Sequence, residues 1–204
     1  RHDRRSRRRR RSVTLIKDER NQVPLRLPRD ARILYLSVLD YPSGWGIAAP
    51  SRTFIPELRE RWPNVTAIEL SDRSTRNELD LVRASASRYD AIVAGVFVRT
   101  ASYSGRMDLA PPVADLLRDL AGATDKAGIP YVAVLFGNPY VATFMPELPA
   151  VVLTFDFYDL PERSAVRALA GEAAISGRLP ITLPGMFEAG HGLARAAATA
   201  GAWR

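Results

Sequence analysis

The hydrophobic pattern of this chain alternates between short apolar runs and longer stretches with helical spacing. Residues 32–39 form the first nearly continuous apolar run, and residues 90–98 form the most apolar one. Similar runs are predicted as strands at 65–70, 129–136 and 151–155. Such runs are typical of strands buried on both faces, as in parallel sheets covered by helices.

The stretches between these runs have apolar residues at the spacing of amphipathic helices. They are predicted as helices at about residues 52–61, 75–88, 112–127 and 161–174. Ser51 is a candidate N-cap of the first helix, and Gly128 and Gly177 are candidate C-terminal glycines of the last two. Strands that alternate with helices imply right-handed crossovers. We therefore predict an α/β fold, a three-layer α/β/α sandwich with a mostly parallel sheet of five or six strands.

Four parts of different composition follow one another along the chain. Residues 1–11 are a basic leader predicted to be disordered, and residues 12–30 are a linker that opens with a short extended stretch. Residues 31–193 form the predicted sandwich domain, and residues 194–204 form an alanine-rich tail, interpreted as a frayed helix or an irregular tail. No apolar run reaches the roughly 18–20 residues of a membrane span, so we expect no membrane association.

The net charge of +7 is carried by the leader. Residues 1–11 contain eight of the 29 basic residues and one of the 22 acidic residues, which leaves 21 of each in the remaining chain. A run of arginines can bind phosphates through counterion release. We therefore expect no nucleic-acid partner apart from one that the leader itself could bind.

Several kinds of site are unsupported by the sequence. The absence of cysteine excludes disulfides and thiolate metal ligands, and the two histidines, His2 and His191, do not form a zinc-binding cluster. His191 lies between glycines and is interpreted as a solvent-side or hydrogen-bonding residue rather than a metal ligand. The loop at 40–46 lacks the third glycine of a dinucleotide fingerprint and the lysine of a phosphate loop. We expect neither a metal nor a cofactor.

Carboxylates at strand ends are the remaining candidates for chemistry, because open α/β sheets bind ligands there. They are Asp40, Asp90, Asp108, Asp156 and Asp159. Each of these residues is also a common turn former or helix cap, so both interpretations stay open.

The polar and aromatic loop at 99–108 adds two further candidates for contact with a sugar or a partner. With two of the aspartates, these residues make up the predicted substrate-adjacent set: Tyr103, Arg106, Asp108 and Asp156. No catalytic residue is assigned within the chain.

Three ordered sets of residues resemble the C-terminal α/β domain of glycoside hydrolase family 3. They are Ser12–Asp18 with Val23–Leu25 at the start, Phe136–Tyr140 in the middle, and Ser176–Pro180 with Pro184–Gly185 and Gly190–Leu193 near the end. The middle and last sets are most similar to the bacterial β-N-acetylhexosaminidase branch. The chain as a whole resembles domains of the β-N-acetylhexosaminidase and β-glucosidase type. Residues 181–183, which lie between Pro180 and Pro184 of the last set, alternate apolar and polar side chains as an edge strand would.

This resemblance implies a retaining β-glycosidase whose nucleophile lies on an N-terminal (β/α)₈ barrel that this chain does not include. The implied partner is that barrel, with the carbohydrate bound at the domain boundary and the isolated chain inactive. The location would be the bacterial cytoplasm, or outside the cell if the parent enzyme is exported. The alternative is a stand-alone, non-catalytic α/β binding or scaffold module.

Overall fold

A computed structural model describes residues 13–40, 50–98 and 108–198 of the chain, and at its centre lies a six-stranded sheet. The strands are β1 (Val13–Asp18), β2 (Ile33–Asp40), β3 (Val65–Ser71), β4 (Ala91–Val98), β5 (Tyr131–Gly137) and β6 (Ala150–Thr154). The helices are α1 (Phe54–Arg61), α2 (Arg76–Ser85), α3 (Pro111–Ala127) and α4 (Asp159–Leu169), with 3₁₀ turns at Ala86–Arg88 and Pro139–Phe144.

The strand order is β1-β6-β5-β4-β2-β3, and all neighbours are parallel except β1, which pairs antiparallel with β6 at one edge. Because β3 and β4 flank β2 on opposite sides, the topological switch point lies between β2 and β4. Open α/β sheets bind ligands at the carboxyl ends of their strands near such a point. We call this side of the sheet the carboxyl edge.

Helices cover both faces of the sheet, which confirms the predicted α/β/α sandwich. One face packs against α2 and α3 and is mainly aliphatic, and we call it the α2/α3 face. The other packs against α1 and α4 and contains the stacked rings of Phe97 and Phe136, and we call it the α1/α4 face. Strand β2 sends Leu34 and Leu36 to the first face and Tyr35 to the second. This two-sided burial explains its continuous apolar run.

Helix α4 ends earlier than predicted. It stops at Leu169 because Gly171, with φ of 72°, adopts the left-handed conformation that terminates a helix. The prediction of a helix to residue 174 that ends in Gly177 was therefore wrong. Gly177 has another role, because a Cβ at this position would overlap the carbonyl oxygen of Val13 in β1.

The residues after α4, 175–198, form an irregular segment that we call the exit segment. The edge strand predicted at 181–183 does not form, and Leu183 makes only an isolated bridge with Phe187. Residues 194–198 are not helical either, since Arg195 bridges to Ile175 in an extended path. Within the described residues, no helix is long and apolar enough to span a membrane.

Candidate functional site

The loop at residues 155–158 is an exposed part of the carboxyl edge, directly after β6. Phe155 and Tyr158 are 37% and 45% exposed, and Asp156 between them is exposed as well. Phe157 anchors the loop: its ring packs 3.2 Å from where a Cβ of Gly137 would lie. Gly137 (φ 85°) follows β5 and belongs to the Phe136–Tyr140 motif, so this glycine permits the close approach of the ring.

Local hydrogen bonds fix the backbone of this loop. The Asp156 carboxylate accepts a bond of 2.8 Å from the backbone N–H of Phe157, and the Thr154 hydroxyl donates a bond of 2.8 Å to the Asp156 carbonyl. The loop therefore presents two aromatic rings and one carboxylate on a fixed backbone. Such a surface can pack against the apolar face of a sugar ring and accept hydrogen bonds from its hydroxyls.

The structure locates only part of the predicted substrate-adjacent set. Asp156 lies in the carboxyl-edge loop, and Asp108 is half-buried just before α3. Tyr103 and Arg106 lie outside the described residues. Asp40 ends β2 at the carboxyl edge and is 7% exposed.

Two of the other aspartates are held in ion pairs. The Asp159 carboxylate accepts two bonds of 2.7 Å from Arg52, and these bonds hold the pKa of Asp159 below its usual range. Asp90 lies at the opposite, amino edge of the sheet, where it binds the backbone and side chain of Arg32. The expectation that Asp90 lies at a ligand-binding edge was therefore wrong, because this residue precedes its strand.

A buried carboxylate that the sequence did not reveal, Glu162, caps α1 from the neighbouring helix α4. It is 1% exposed and accepts bonds of 2.9, 2.9 and 2.7 Å from the backbone N–H groups of Ser51, Thr53 and Phe54. Ser51 is thus not the N-cap, and Thr53, which holds that position, makes no side-chain cap bond. Burial raises the pKa of Glu162, while its three backbone donors oppose that effect.

Three hydroxyls extend this polar cluster into the sheet. The Ser51 hydroxyl lies 2.7 Å from those of both Tyr35 and Ser37 in β2. Tyr35 is fully buried, and desolvation raises the pKa of its phenol. Its hydroxyl fits because residue 95 of β4 is glycine, where a Cβ would overlap it. Glu162 bonds the backbone of Ser51 and these hydroxyls bond its side chain, so the buried cluster holds the start of α1 in place.

The first and last motif sets meet at β1. The exit segment bonds this strand through Leu193 N–H to the carbonyl of Leu15 and through the His191 ring to the carbonyl of Ile16, at 2.7 and 2.8 Å. The His191 ring also stacks on Phe187 at 4.1 Å. This geometry confirms that His191 is a hydrogen-bonding residue. The described residues contain no cluster of three or more potential metal ligands.

Comparison with solved structures identifies the same fold in glycoside hydrolase family 3 enzymes. A β-N-acetylglucosaminidase of that family from Paenibacillus sp. FPU-7 overlays with a TM-score of 0.67 and 18% identity over 87% of this chain. A fungal multi-domain family 3 β-N-acetylglucosaminidase overlays with a TM-score of 0.64 and 20% identity over 89% of this chain. A β-glucosidase from Listeria innocua overlays with a TM-score of 0.63 and 19% identity over 86% of this chain. No family model matches the chain, and no curated protein matches it significantly.

The chain spans only a fraction of these enzymes, namely 31%, 19% and 26% of their respective lengths. The resemblance seen in the motifs is therefore confirmed for the fold. The overlay includes both N-acetylglucosaminidases and a β-glucosidase, so it does not distinguish between the two branches.

Proposed function

We propose that this chain is the C-terminal α/β domain of a retaining β-glycosidase of the β-N-acetylhexosaminidase type. It would hydrolyse O-glycosyl bonds only together with an N-terminal (β/α)₈ barrel. The observation that carries the proposal is the shared fold, which covers most of this chain and less than a third of each larger enzyme. The three ordered motif sets support it independently.

The state of three of the described carboxylates supports a role outside bond cleavage. Retaining hydrolysis needs two carboxyl groups about 5 Å apart, both able to reach the sugar. Glu162 is buried under three N–H donors, and Asp159 and Asp90 are paired with arginines. Supply of the nucleophile by the barrel is consistent with this arrangement.

The carboxyl-edge loop is the part of the domain that we assign to the sugar boundary. Phe155, Asp156 and Tyr158 would border the carbohydrate there, together with the predicted Asp108, Tyr103 and Arg106. This assignment rests on the exposure of the two aromatic rings beside an accessible carboxylate at the ligand-binding edge of the fold.

Turnover of aryl β-N-acetylglucosaminide and aryl β-glucoside tests the proposal. We expect no turnover by the isolated chain, and turnover of the first substrate when a family 3 barrel is supplied. Tyr158→Ala and Asp156→Asn should then lower kcat/KM, while Glu60→Gln, an exposed change on α1, should not. Turnover by the isolated chain that one Asp or Glu substitution abolishes would contradict the proposal.

A stand-alone binding or scaffold module is the second candidate. The chain's own helices cover both faces of the sheet, and this observation favours the second candidate. The hydrophobic core is therefore formed without contacts from a barrel. Calorimetric titration of the isolated chain with N-acetylglucosamine oligomers distinguishes the two. Saturable binding that Tyr158→Ala removes, with no coding sequence for a barrel upstream of Arg1, would favour the module.

A further inference from the structure

A cavity of about 290 Å³ lies at the amino edge of the sheet, opposite the carboxyl-edge loop. Linker residues between positions 20 and 26 line one side of it, and the turn between α3 and β5, with Gly128 and Pro130, lines the other. We call this feature the linker cavity. Its lining includes three long side chains that carry N–H donors, those of Arg20, Gln22 and Arg26.

The linker side of the cavity is held in place by Asp18 at the end of β1, whose side chain has no exposed surface. Its carboxylate accepts bonds of 2.7 and 3.2 Å from the backbone N–H groups of Gln22 and Val23. Arg195 of the exit segment donates a bond of 2.8 Å to the same carboxylate. The backbone beside the cavity is therefore fixed, and the charge of Asp18 is compensated by Arg195.

The side-chain amide of Gln22 has a defined orientation and an unused donor. Gln22 is 8% exposed, and its Oε1 atom accepts a bond of 2.6 Å from the backbone N–H of Tyr131 and one of 3.4 Å from Arg20. Since both partners are donors, the atom that they contact must be the amide oxygen. The amide nitrogen, Nε2, is buried and has no hydrogen-bond acceptor in the part of the chain that the structure describes.

Arg20 lines the same cavity and has an unused donor of its own. Its two terminal nitrogens donate bonds of 3.4 and 3.0 Å to the carbonyls of Thr124 and Ile129. Its Nε atom is buried and, among the described residues, has no acceptor. A buried N–H group without an acceptor is costly. Two such groups on side chains that line one cavity favour the entry of a ligand that accepts hydrogen bonds.

We propose that the linker cavity binds a small oxyanion, a phosphate or a carboxylate, through Arg20, Gln22 and Arg26. Arg26 adds a second guanidinium, 3.5 Å from the carbonyl of Asn21. Guanidinium groups form strong, charge-assisted bonds with the oxygens of both kinds of anion. Asp125 lies 3.8 Å from Arg20 but is 71% exposed, so this pair is a surface contact that leaves the cavity to a ligand. The site is independent of the proposed glycosidase role, because it lies at the opposite edge of the sheet.

Nuclear magnetic resonance of the full chain tests the proposal at the Gln22 side chain. Gln22 is the only glutamine in the sequence, so ¹⁵N labelling of the glutamine side-chain amide gives a single pair of proton signals. The labelled chain is titrated with sodium phosphate and, separately, with sodium acetate, with sodium chloride at the same ionic strength as the reference. We expect a saturable shift of this signal with phosphate or with acetate, and none with chloride. The anion that produces the shift identifies the class of ligand.

Matched variants separate the cavity from the arginine-rich leader. Arg26→Met removes one guanidinium from the cavity and should weaken the apparent affinity about tenfold or more. Arg29→Met removes the same charge from an exposed position of the linker that does not line the cavity, and should leave the affinity unchanged. The leader is the same in both variants, so binding to residues 1–11 cannot produce a difference between them.

Circular dichroism shows whether each variant is folded, and Arg26→Lys, which loses the planar fork of donors, replaces Arg26→Met if the latter is not. A Gln22 signal that responds to phosphate and acetate no more than to chloride overturns the proposal. Equal loss of affinity in the Arg26 and Arg29 variants overturns it as well, because the anion would then respond only to the total charge of the chain.

Discussion

The two faces of the sheet are built on different principles. The α2/α3 face is held by aliphatic packing, and its interhelical ion pair, Arg83 with Asp119, lies at the surface. The α1/α4 face buries a carboxylate, Glu162, and the hydroxyls of Tyr35 and Ser51 among aromatic rings. A face that depends on buried polar partners is sensitive to the loss of any one of them, because a buried donor or acceptor left unpaired costs about 1–3 kcal/mol.

Removal of the buried carboxylate is expected to have the largest effect. Glu162→Ala leaves three N–H groups without their acceptor and should lower the free energy of unfolding by about 3 kcal/mol or more. Urea denaturation measures this change. Glu60→Ala, on the exposed side of α1, is the control and should change little. Equal effects of the two variants would show that Glu162 does not hold α1 in place.

A methyl group at Gly95 should strain the same face from the sheet side. Gly95→Ala forces Tyr35 to move and should cost about 1–3 kcal/mol, the usual range for overpacking. The double variant Gly95→Ala with Tyr35→Leu should recover part of this loss, because the leucine leaves room for the methyl group. Additive losses in the double-mutant cycle would contradict the steric explanation.

The pH dependence of the Glu162→Gln variant sharpens the comparison further. Because burial raises the pKa of Glu162 above its ordinary 4.5, the folded chain keeps this proton to a higher pH than the unfolded chain. The stability from this group is therefore full below pH 4.5 and declines as pH rises through the folded pKa. The Glu162→Gln variant lacks this decline. The difference in the free energy of unfolding between wild type and variant should therefore narrow as pH rises over that range. Urea denaturation at several pH values measures this difference. A difference in the free energy of unfolding that widens as pH rises would contradict a raised pKa of Glu162.

Loss of the Tyr35 hydroxyl alone should matter less. In Tyr35→Phe the ring keeps its stacking on Phe54 at 4.8 Å, and Ser51 keeps Ser37 as a partner. We expect a loss of about 0.5–1.5 kcal/mol, typical of one buried hydrogen bond. Thermal denaturation monitored by circular dichroism detects this loss. A loss as large as that of Glu162→Ala would show that the Tyr35 hydroxyl supports more of the α1/α4 face than its bond with Ser51.

The smallest effect is expected on the α2/α3 face. Asp119→Ala breaks the surface ion pair with Arg83. The side chain of Asp119 is 59% exposed and that of Arg83 is 32% exposed. Pairs of this kind contribute about 0.2–1 kcal/mol, less at high salt. Denaturation should show a loss of this size at low salt and a smaller difference between variant and wild type at high salt. A larger loss would mean that the two faces do not differ as we describe.

Sequence patterns predicted the elements of this fold better than their connections. The apolar runs located β2, β4, β5 and β6 because burial on both faces leaves a strong signal, and they also located the edge strand β3, which is only partly buried. The end of α4 was misplaced because Gly171 and Gly177 are equivalent in sequence, and only the structure shows which one adopts positive φ. Nothing near Glu162 in sequence indicates its contact with residues 51–54, more than 100 positions away. Asp156 was expected at the carboxyl edge because it directly follows the strand predicted at 151–155, and the structure places it in the loop after β6.

The edge strand β1 has a consequence for the order in which the fold is completed. Among the described residues, its strand and bridge partners come late in the chain: β6 begins at residue 150, and Leu15 bonds Leu193. A chain made from its N-terminus therefore exposes the first strand throughout synthesis of the central sheet, and long-range pairings of this kind form slowly. Within this sheet, the strand that comes first in the chain is therefore the last that can be paired.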